Sequence, residues 1–231
     1  MALIKFGGGV IQASGSIAGT TYARNRFGNY SRSRTKPVNP QSAGQNLIRS
    51  SLAYLSQYWG AILSSEQRGA WATFAASVPS LNRLGEQVYL TGFNQFLKSN
   101  IVRLQAEQTI IQEGPTVLTL PETDPTFAVT ADANGQSVSV AYDANLPWVT
   151  DTGARMHVYM GQPQNATRNF FGGPYKYMGS IEDGGTGTEQ MTPPYTLTKG
   201  QKVWFYARIQ RSDGRLSGKF RSSGLVVNST P

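Results

Sequence analysis

Cysteine is absent from the 231 residues, and with it go disulfides, thiolate nucleophiles and sulfur-ligated metals. Histidine occurs once, as His157, so no pair of imidazoles is available for a transition-metal site. Charged residues make up only 15%, whereas apolar content is 39% with four Trp, eleven Tyr and ten Phe, which excludes a chain held open by its own charge and predicts a packed core. Long apolar runs are missing too. The opening MALIKFGGGVIQASGS is broken by Lys5 and by Gly7, Gly8 and Gly9, so neither a signal peptide nor a membrane anchor is expected, and the chain is expected to be made in, and assembled from, a cytoplasm. Above all, negative charge is missing from one end. The first acidic residue is Glu66, and before it stand Lys5, Arg24, Arg26, Arg32, Arg34, Lys36 and Arg49. The remainder carries fourteen basic and thirteen acidic side chains, so a basic front precedes a near-neutral body. Such a front predicts an arm that meets something negative, either nucleic acid or an acidic protein surface.

The patterning predicts an α+β chain with a basic extended arm (residues 1–38), a small helical domain (39–105), a linker (106–124) and an antiparallel β-sandwich (125–231). From Ser16 to Thr35 the arm fits an irregular hairpin: Thr20, Thr21, Tyr22 and Tyr30 favour strand, and Gly28-Asn29 suits a tight loop. Two strands alone are marginal in water, so the arm is expected to take its fixed shape against a neighbour. Asn39 is read as an N-cap with Pro40 in the first turn, opening a helix to about Ile62 with Ile48, Leu52, Leu55, Trp59 and Ile62 on one face. Ser64 and Gln67 have the spacing of a capping box for a second helix carrying Trp71 and Phe74, ended by Pro79. Thr91 caps a third, with Phe93, Phe96, Leu97, Ile101 and Leu104 clustered. Three such helices could make a small bundle. Residues 106–126 hold three prolines and little periodicity, placing a boundary near Leu120 to Pro125. Beyond it the period is two, Asn134-Gly135 marks a hairpin, and about seven strands in just over 100 residues imply a sandwich.

Two resemblances attach to these segments. YTLTKGQKVWFYARIQRSDGRLSGKFRSSGLVV resembles the last three strands of a fibronectin type III domain, with its Leu-Thr-x-Gly corner, aromatic strand, Asp-Gly turn and Ser-rich final strand. The likeness is best over residues 195–227 and looser over 125–229. It departs from the pattern where Val203 occupies the usual corner-tyrosine position and Tyr142 stands where a core tryptophan is common. The front of the chain, GSIAGTTYARNRFGNYSRSRTKPVNPQSAGQNLIR followed by a Trp-containing helix and LSSEQRGAWATFA, is similar over residues 14–100 to uncharacterised virion proteins of tailed bacteriophages and prophages. That resemblance implies a particle component assembled in a bacterial host cytoplasm and carries over no catalytic residue.

An enzyme needs a convergent set of titratable groups, and the sequence offers few. In ARMHVYM, alternation puts His157 opposite Met156 and Val158, as a sandwich-strand residue rather than a base. Glu182 and Asp183 precede Gly-Gly-Thr-Gly and read as a turn. KFGGGV lacks the dinucleotide-binding spacing, and DGGTGT has no Lys-Ser/Thr for a phosphate loop. Asn165 and Asn228 begin glycosylation-type triplets that are chance matches without secretion. No catalytic residue, cofactor or metal is therefore expected. What remains is the arm, with Arg24, Arg26, Arg32, Arg34 and Lys36 as cations and Tyr22 and Tyr30 as amphipathic anchors. Interleaved Arg and Tyr suit phosphates and bases. However, a DNA reader presents a basic helix, and the helix after Pro40 carries only Arg49. Arg–carboxylate pairing with strand addition favours a protein partner. The expectation is a non-enzymatic virion protein, foremost a capsid decoration or cement protein that binds the major capsid protein through the arm. It would be a homo-oligomer in the particle with no membrane contact. The alternatives are a tail or head-to-tail connector subunit, or a nucleic-acid-binding virion protein.

Overall fold

The computed structural model describes residues 2–5, 7–9, 13–25, 28–36, 38–81 and 86–228. The chain forms two compact units, Met1–Gln45 and Asn46–Pro231.

In the first unit the expected hairpin is present and larger than its sequence suggests. Strands β1 (Ala2–Leu3), β2 (Gly15–Ile17), β3 (Thr20–Asn25) and β4 (Gly28–Ser33) make one antiparallel sheet in the order β1-β4-β3-β2. Ala18, at φ 50°, turns β2 into β3, so the run IAGTTYA is two strands and a turn rather than one strand. The loop between β3 and β4 holds Arg26 and Phe27, which lie outside the described residues, and leads into Gly28 at φ 119°. This sheet has no core: among the described residues none before Ser51 is buried.

Helix α1 (Ala43–Ala61) starts later than Asn39-Pro40 suggests. Gln41 has φ 47°, which a helix cannot contain, and the cap passes to Ser42, whose Oγ accepts from the Gln45 N–H at 3.4 Å. Asn39 Oδ1 instead accepts from Gln41 N–H at 3.4 Å. Of the face expected on this helix, Leu55 is buried, while Leu52 and Ile62 are exposed. Helix α2 (Ser65–Ser77) opens with the capping box its spacing predicts: Gln67 N–H donates to Ser64 Oγ at 3.2 Å, and Ser64 N–H to Gln67 Oε1 at 2.9 Å. Strands β5 (Pro79–Leu81) and β6 (Gln87–Tyr89) pair, and Thr91 caps α3 (Gly92–Gln105). A Cβ at Gly92 would lie 2.8 Å from the Ala72 backbone nitrogen, so only glycine lets α3 approach α2 this closely. Leu55, Leu63, Trp71, Phe74, Val78, Phe96 and Leu97 fill the helical core.

Residues 106–124 contain neither helix nor strand, but their first half is docked. Asn100 pairs with Ile111 through both amide groups, accepting from its N–H at 2.8 Å and donating to its carbonyl at 3.2 Å, and Trp71 Nε1–H donates to the Gln112 carbonyl at 2.9 Å. Residues 116–120 are exposed. Asp124 then closes the segment: though buried, it accepts from the Thr126 N–H and Oγ1–H at 2.8 and 2.7 Å and from the Asp143 N–H at 3.0 Å.

The sandwich follows as β7 (Ala128–Asp132), β8 (Ser137–Ala141), β9 (Arg155–Gly161), β10 (Tyr175–Glu182), β11 (Thr188–Met191), β12 (Lys202–Val203), β13 (Phe205–Gln210), β14 (Phe220–Arg221) and β15 (Leu225–Val226). A three-stranded sheet, β11-β8-β7, and a four-stranded sheet, β10-β9-β13-β14, are antiparallel throughout, and β12 pairs with β15. Alternation sends Val129, Ala131, Val138, Val140, Met156, Val158, Met160, Phe205, Ala207 and Ile209 into one core, as the period of two requires. The two sheets enclose this core as an antiparallel sandwich. Buried Trp148 packs against Tyr142 at a ring distance of 5.3 Å, so the core keeps a tryptophan supplied from the following loop. With Val203 buried at the corner, the Gln136 amide holds that strand instead, accepting from Leu197 N–H and donating to its carbonyl, each at 2.9 Å. Before β9, Asp151 meets the turn that follows β13, and burial alone would raise its carboxyl. The Ser212 hydroxyl and N–H, with Arg211 at 2.7 Å, outweigh it and hold Asp151 below the usual carboxylate range.

Candidate functional site

The arm residues are set out by strand register. Tyr22 stands opposite Ser31, Arg24 opposite Asn29, Thr21 opposite Arg32 and Ala23 opposite Tyr30. Residues directly opposite share a face and successive residues alternate. Tyr22 and Arg24 therefore lie on one face, and Tyr30 and Arg32 on the other. Ile17 joins the first face through Thr20, and Leu3 joins the second through Tyr30. Both aliphatic side chains are about three-quarters exposed, at 74% and 73%. The sheet thus offers two similar surfaces, each with one arginine, one half-buried tyrosine and one bare aliphatic group. Arg34 and Lys36 follow β4 and are exposed, the Arg34 N–H donating to the Gly19 carbonyl at 2.9 Å. Arg26 lies outside the described residues.

Among the described residues no ion pair answers this charge. The three ion pairs among the described residues, Arg155–Glu182 at 2.9 Å, Arg211–Asp151 at 2.7 Å and Arg215–Asp213 at 2.6 Å, all belong to the sandwich. Outer strands β1 and β2 have two and three residues, short edges on which an extended segment of a partner can pair.

A second polar cluster lies where sequence patterning suggests nothing. Along α3, Gln95, Ser99 and Arg103 recur every fourth residue, and all three are buried. Ser99 and Arg103 lie toward the outer face of β9 and β13, where Arg155 faces Gln210 and His157 faces Arg208. Gln210 bridges the layers: its Nε2–H donates to the Ser99 carbonyl at 2.8 Å, and its Oε1 lies 3.2 Å from His157 Nε2. His157 is fully buried, on the face opposite Met156 and Val158 as expected. Burial, partly offset by Gln210 and reinforced by Arg155, Arg103 and Arg208, pushes its pKa down to about 3. It is therefore neutral across the physiological range. The polar stripe on α3 was visible as spacing, but an isolated helix gives no sign that a sheet covers it. Glu182 and Asp183 are the end of β10 and its turn, paired with Arg155 and with the Gly153 N–H. Among the described residues no group of three or more His, Cys, Asp or Glu side chains could hold a metal, and no helix is long and apolar enough to cross a membrane.

No family model and no curated protein matches the chain. Solved structures that resemble it include one described as a myokine, at TM-score 0.29 and 11% identity over 46% of this chain and 98% of that one. Another is the third fibronectin III domain of the human KIAA0343 protein, at TM-score 0.31 and 15% identity over 52% and 94%.

Proposed function

We propose that this chain is a non-enzymatic structural protein of a tailed-phage virion, a capsid decoration or cement protein that grips the major capsid protein through its amino-terminal sheet. The observation that carries the binding role is a four-stranded sheet with no buried residue among those described, bearing arginine and tyrosine on both faces and no carboxylate. Such a sheet gains its apolar burial and its counter-charges from a partner. The virion setting rests on the resemblance of residues 14–100 to phage proteins. Protein is favoured over nucleic acid because the cations flank tyrosines that are half-buried in the sheet rather than free as stacking platforms. No cofactor enters this reading, and the particle would hold several copies.

The test compares wild-type chain with variants in which Arg24, Arg26, Arg32 and Arg34 are all replaced by Lys, or all by Ala. Binding is measured to DNA-free capsid shells of the parent phage and to duplex and single-stranded DNA across a salt series. Bidentate Arg–carboxylate pairs in a desolvated interface predict binding to shells, lost in both variants, at roughly 2 to 5 kcal/mol per truncated arginine. Tight DNA binding that survives the Lys replacements and falls log-linearly with salt, without affinity for shells, overturns the proposal.

A further inference from the structure

We infer that the outer face of the sheet β10-β9-β13-β14 is a binding surface for single-stranded nucleic acid, with Arg168, Lys219 and Arg221 as phosphate contacts and Phe170 as a stacking platform. This surface lies in the sandwich and is independent of the arm. The near-neutral charge of the body conceals a division within it. Residues 155–182 and 201–228, which supply this sheet, hold nine basic and two acidic side chains. Both acids are taken, Glu182 by Arg155 at 2.9 Å and Asp213 by Arg215 at 2.6 Å. Among the described residues Arg168, Lys202, Lys219 and Arg221 are in no ion pair.

Geometry brings these four onto one row of rings. Tyr159 stacks on Tyr206 at a centroid distance of 4.5 Å, and the row continues through Tyr175 at 4.9 Å, Phe171 at 5.1 Å and Trp204 at 5.6 Å. Lys219 Nζ lies 4.8 Å from the Tyr206 centroid, Lys202 Nζ 5.7 Å from that of Trp204, and the Arg168 guanidinium 5.8 Å from that of Phe171. Arg221 stands directly opposite Tyr206, so it shares this face. Tyr159, Tyr206, Phe171 and Trp204 are buried. They are a floor that holds the cations by the attraction of the ring faces, not free platforms. Arg168, Lys219 and Arg221 are exposed above that floor. Phe170 is 71% exposed, and its carbonyl accepts from Arg168 Nε–H at 2.9 Å, so a bare ring adjoins the end of the row.

A fixed row of cations with no free carboxylate attracts a polyanion, and the bare ring favours one kind. Carboxylates of an acidic protein surface would answer the charge and leave Phe170 in water. A single strand brings phosphates for the cations and unpaired bases whose faces cover the ring. A duplex hides those faces, and its major groove admits a helix or a two-stranded ribbon rather than the face of a four-stranded sheet.

The experiment is fluorescence anisotropy of a labelled oligothymidylate over a salt series. It uses the full chain with Arg24, Arg26, Arg32 and Arg34 all replaced by Ala, so that the arm does not contribute. Competitors are the duplex with oligoadenylate, polyglutamate and dextran sulfate. The single strand should bind saturably, and its affinity should fall log-linearly with salt. Lys219→Gln and Arg221→Gln together should weaken binding at least about tenfold and flatten the salt slope by about 0.7 per residue. Phe170→Ala should weaken it about five- to hundredfold and leave the slope unchanged. All three side chains are exposed, so these variants should melt with their parent. No saturable binding, binding indifferent to the loss of Lys219 and Arg221, or competition by duplex, polyglutamate or dextran sulfate as strong as that of the unlabelled single strand overturns the inference.

Discussion

The amino-terminal sheet and the sandwich use the same antiparallel ladder, yet one has a core and the other has none. In the sandwich, alternation sends one side chain in two to a shared interior where Val138, Val140, Met156, Val158, Met160 and Phe205 are fully buried. In the arm the same alternation distributes Tyr22 and Arg24 to one side and Tyr30 and Arg32 to the other, and none of these four is buried. Hydrogen-bonded ladders fix shape, but burial supplies most of the stability. The sandwich carries its own core; the described residues of the arm carry none.

The comparison is tested most drastically by cutting the second unit. The helical and sandwich cores share no residue, and the seam joining them is polar, as interfaces between domains commonly are. Because Ile111 and Gln112 are docked while residues 116–120 are exposed, limited proteolysis should cut at 116–122 rather than throughout 106–124. It should release a carboxy-terminal fragment that unfolds cooperatively. A fragment without a cooperative transition would show that the two cores fold only as one.

Phe205→Ala, in the sandwich core, should cost about 3 to 5 kcal/mol in urea unfolding. Tyr30→Ala in the arm should stay within about 0.5 kcal/mol. Equal costs would mean that the arm has a core of its own.

His157 links the sandwich to acid. Its folded pKa, about 3, lies below the ordinary 6.5, so the unfolded chain binds a proton between these values while the folded one does not. Stability is fully present above 6.5 and is lost as pH falls toward 3, by several kcal/mol in all. Replacing His157 with Gln should flatten the loss by that amount relative to wild type. Parallel pH profiles would remove His157 from the account.

Ser64→Ala should cost about 1 kcal/mol by releasing the α2 cap, with no effect on partner binding. A binding defect would place α2 in the interface.

Local chemistry was the most legible part of the sequence. Ser64 with Gln67, Thr91, and Asp132 with Asn134-Gly135 are short-range hydrogen-bonding units, and each stands where its spacing puts it. The sandwich was legible because one face is buried, which makes the period of two strict. Asn39 was misleading because Gln41 takes a left-handed backbone conformation that the sequence does not announce. Strands β1 and β2 were missed because they are too short to show a period. The burial of Gln95, Ser99 and Arg103 was not legible, since it depends on parts of the chain distant in sequence. In the arm the residues were visible from composition, but their division between two faces needed the register of β3 against β4.

Amide hydrogen exchange across Thr20–Asn25 and Gly28–Ser33 tests the central claim most directly, read once in the free chain and once in the chain bound to capsid shells. The account predicts fast exchange in the free chain, far from the protection of β9 and β13, and strong protection of both strands on the shell. Protection in the free chain equal to that of the sandwich strands, unchanged by the shell, would contradict it.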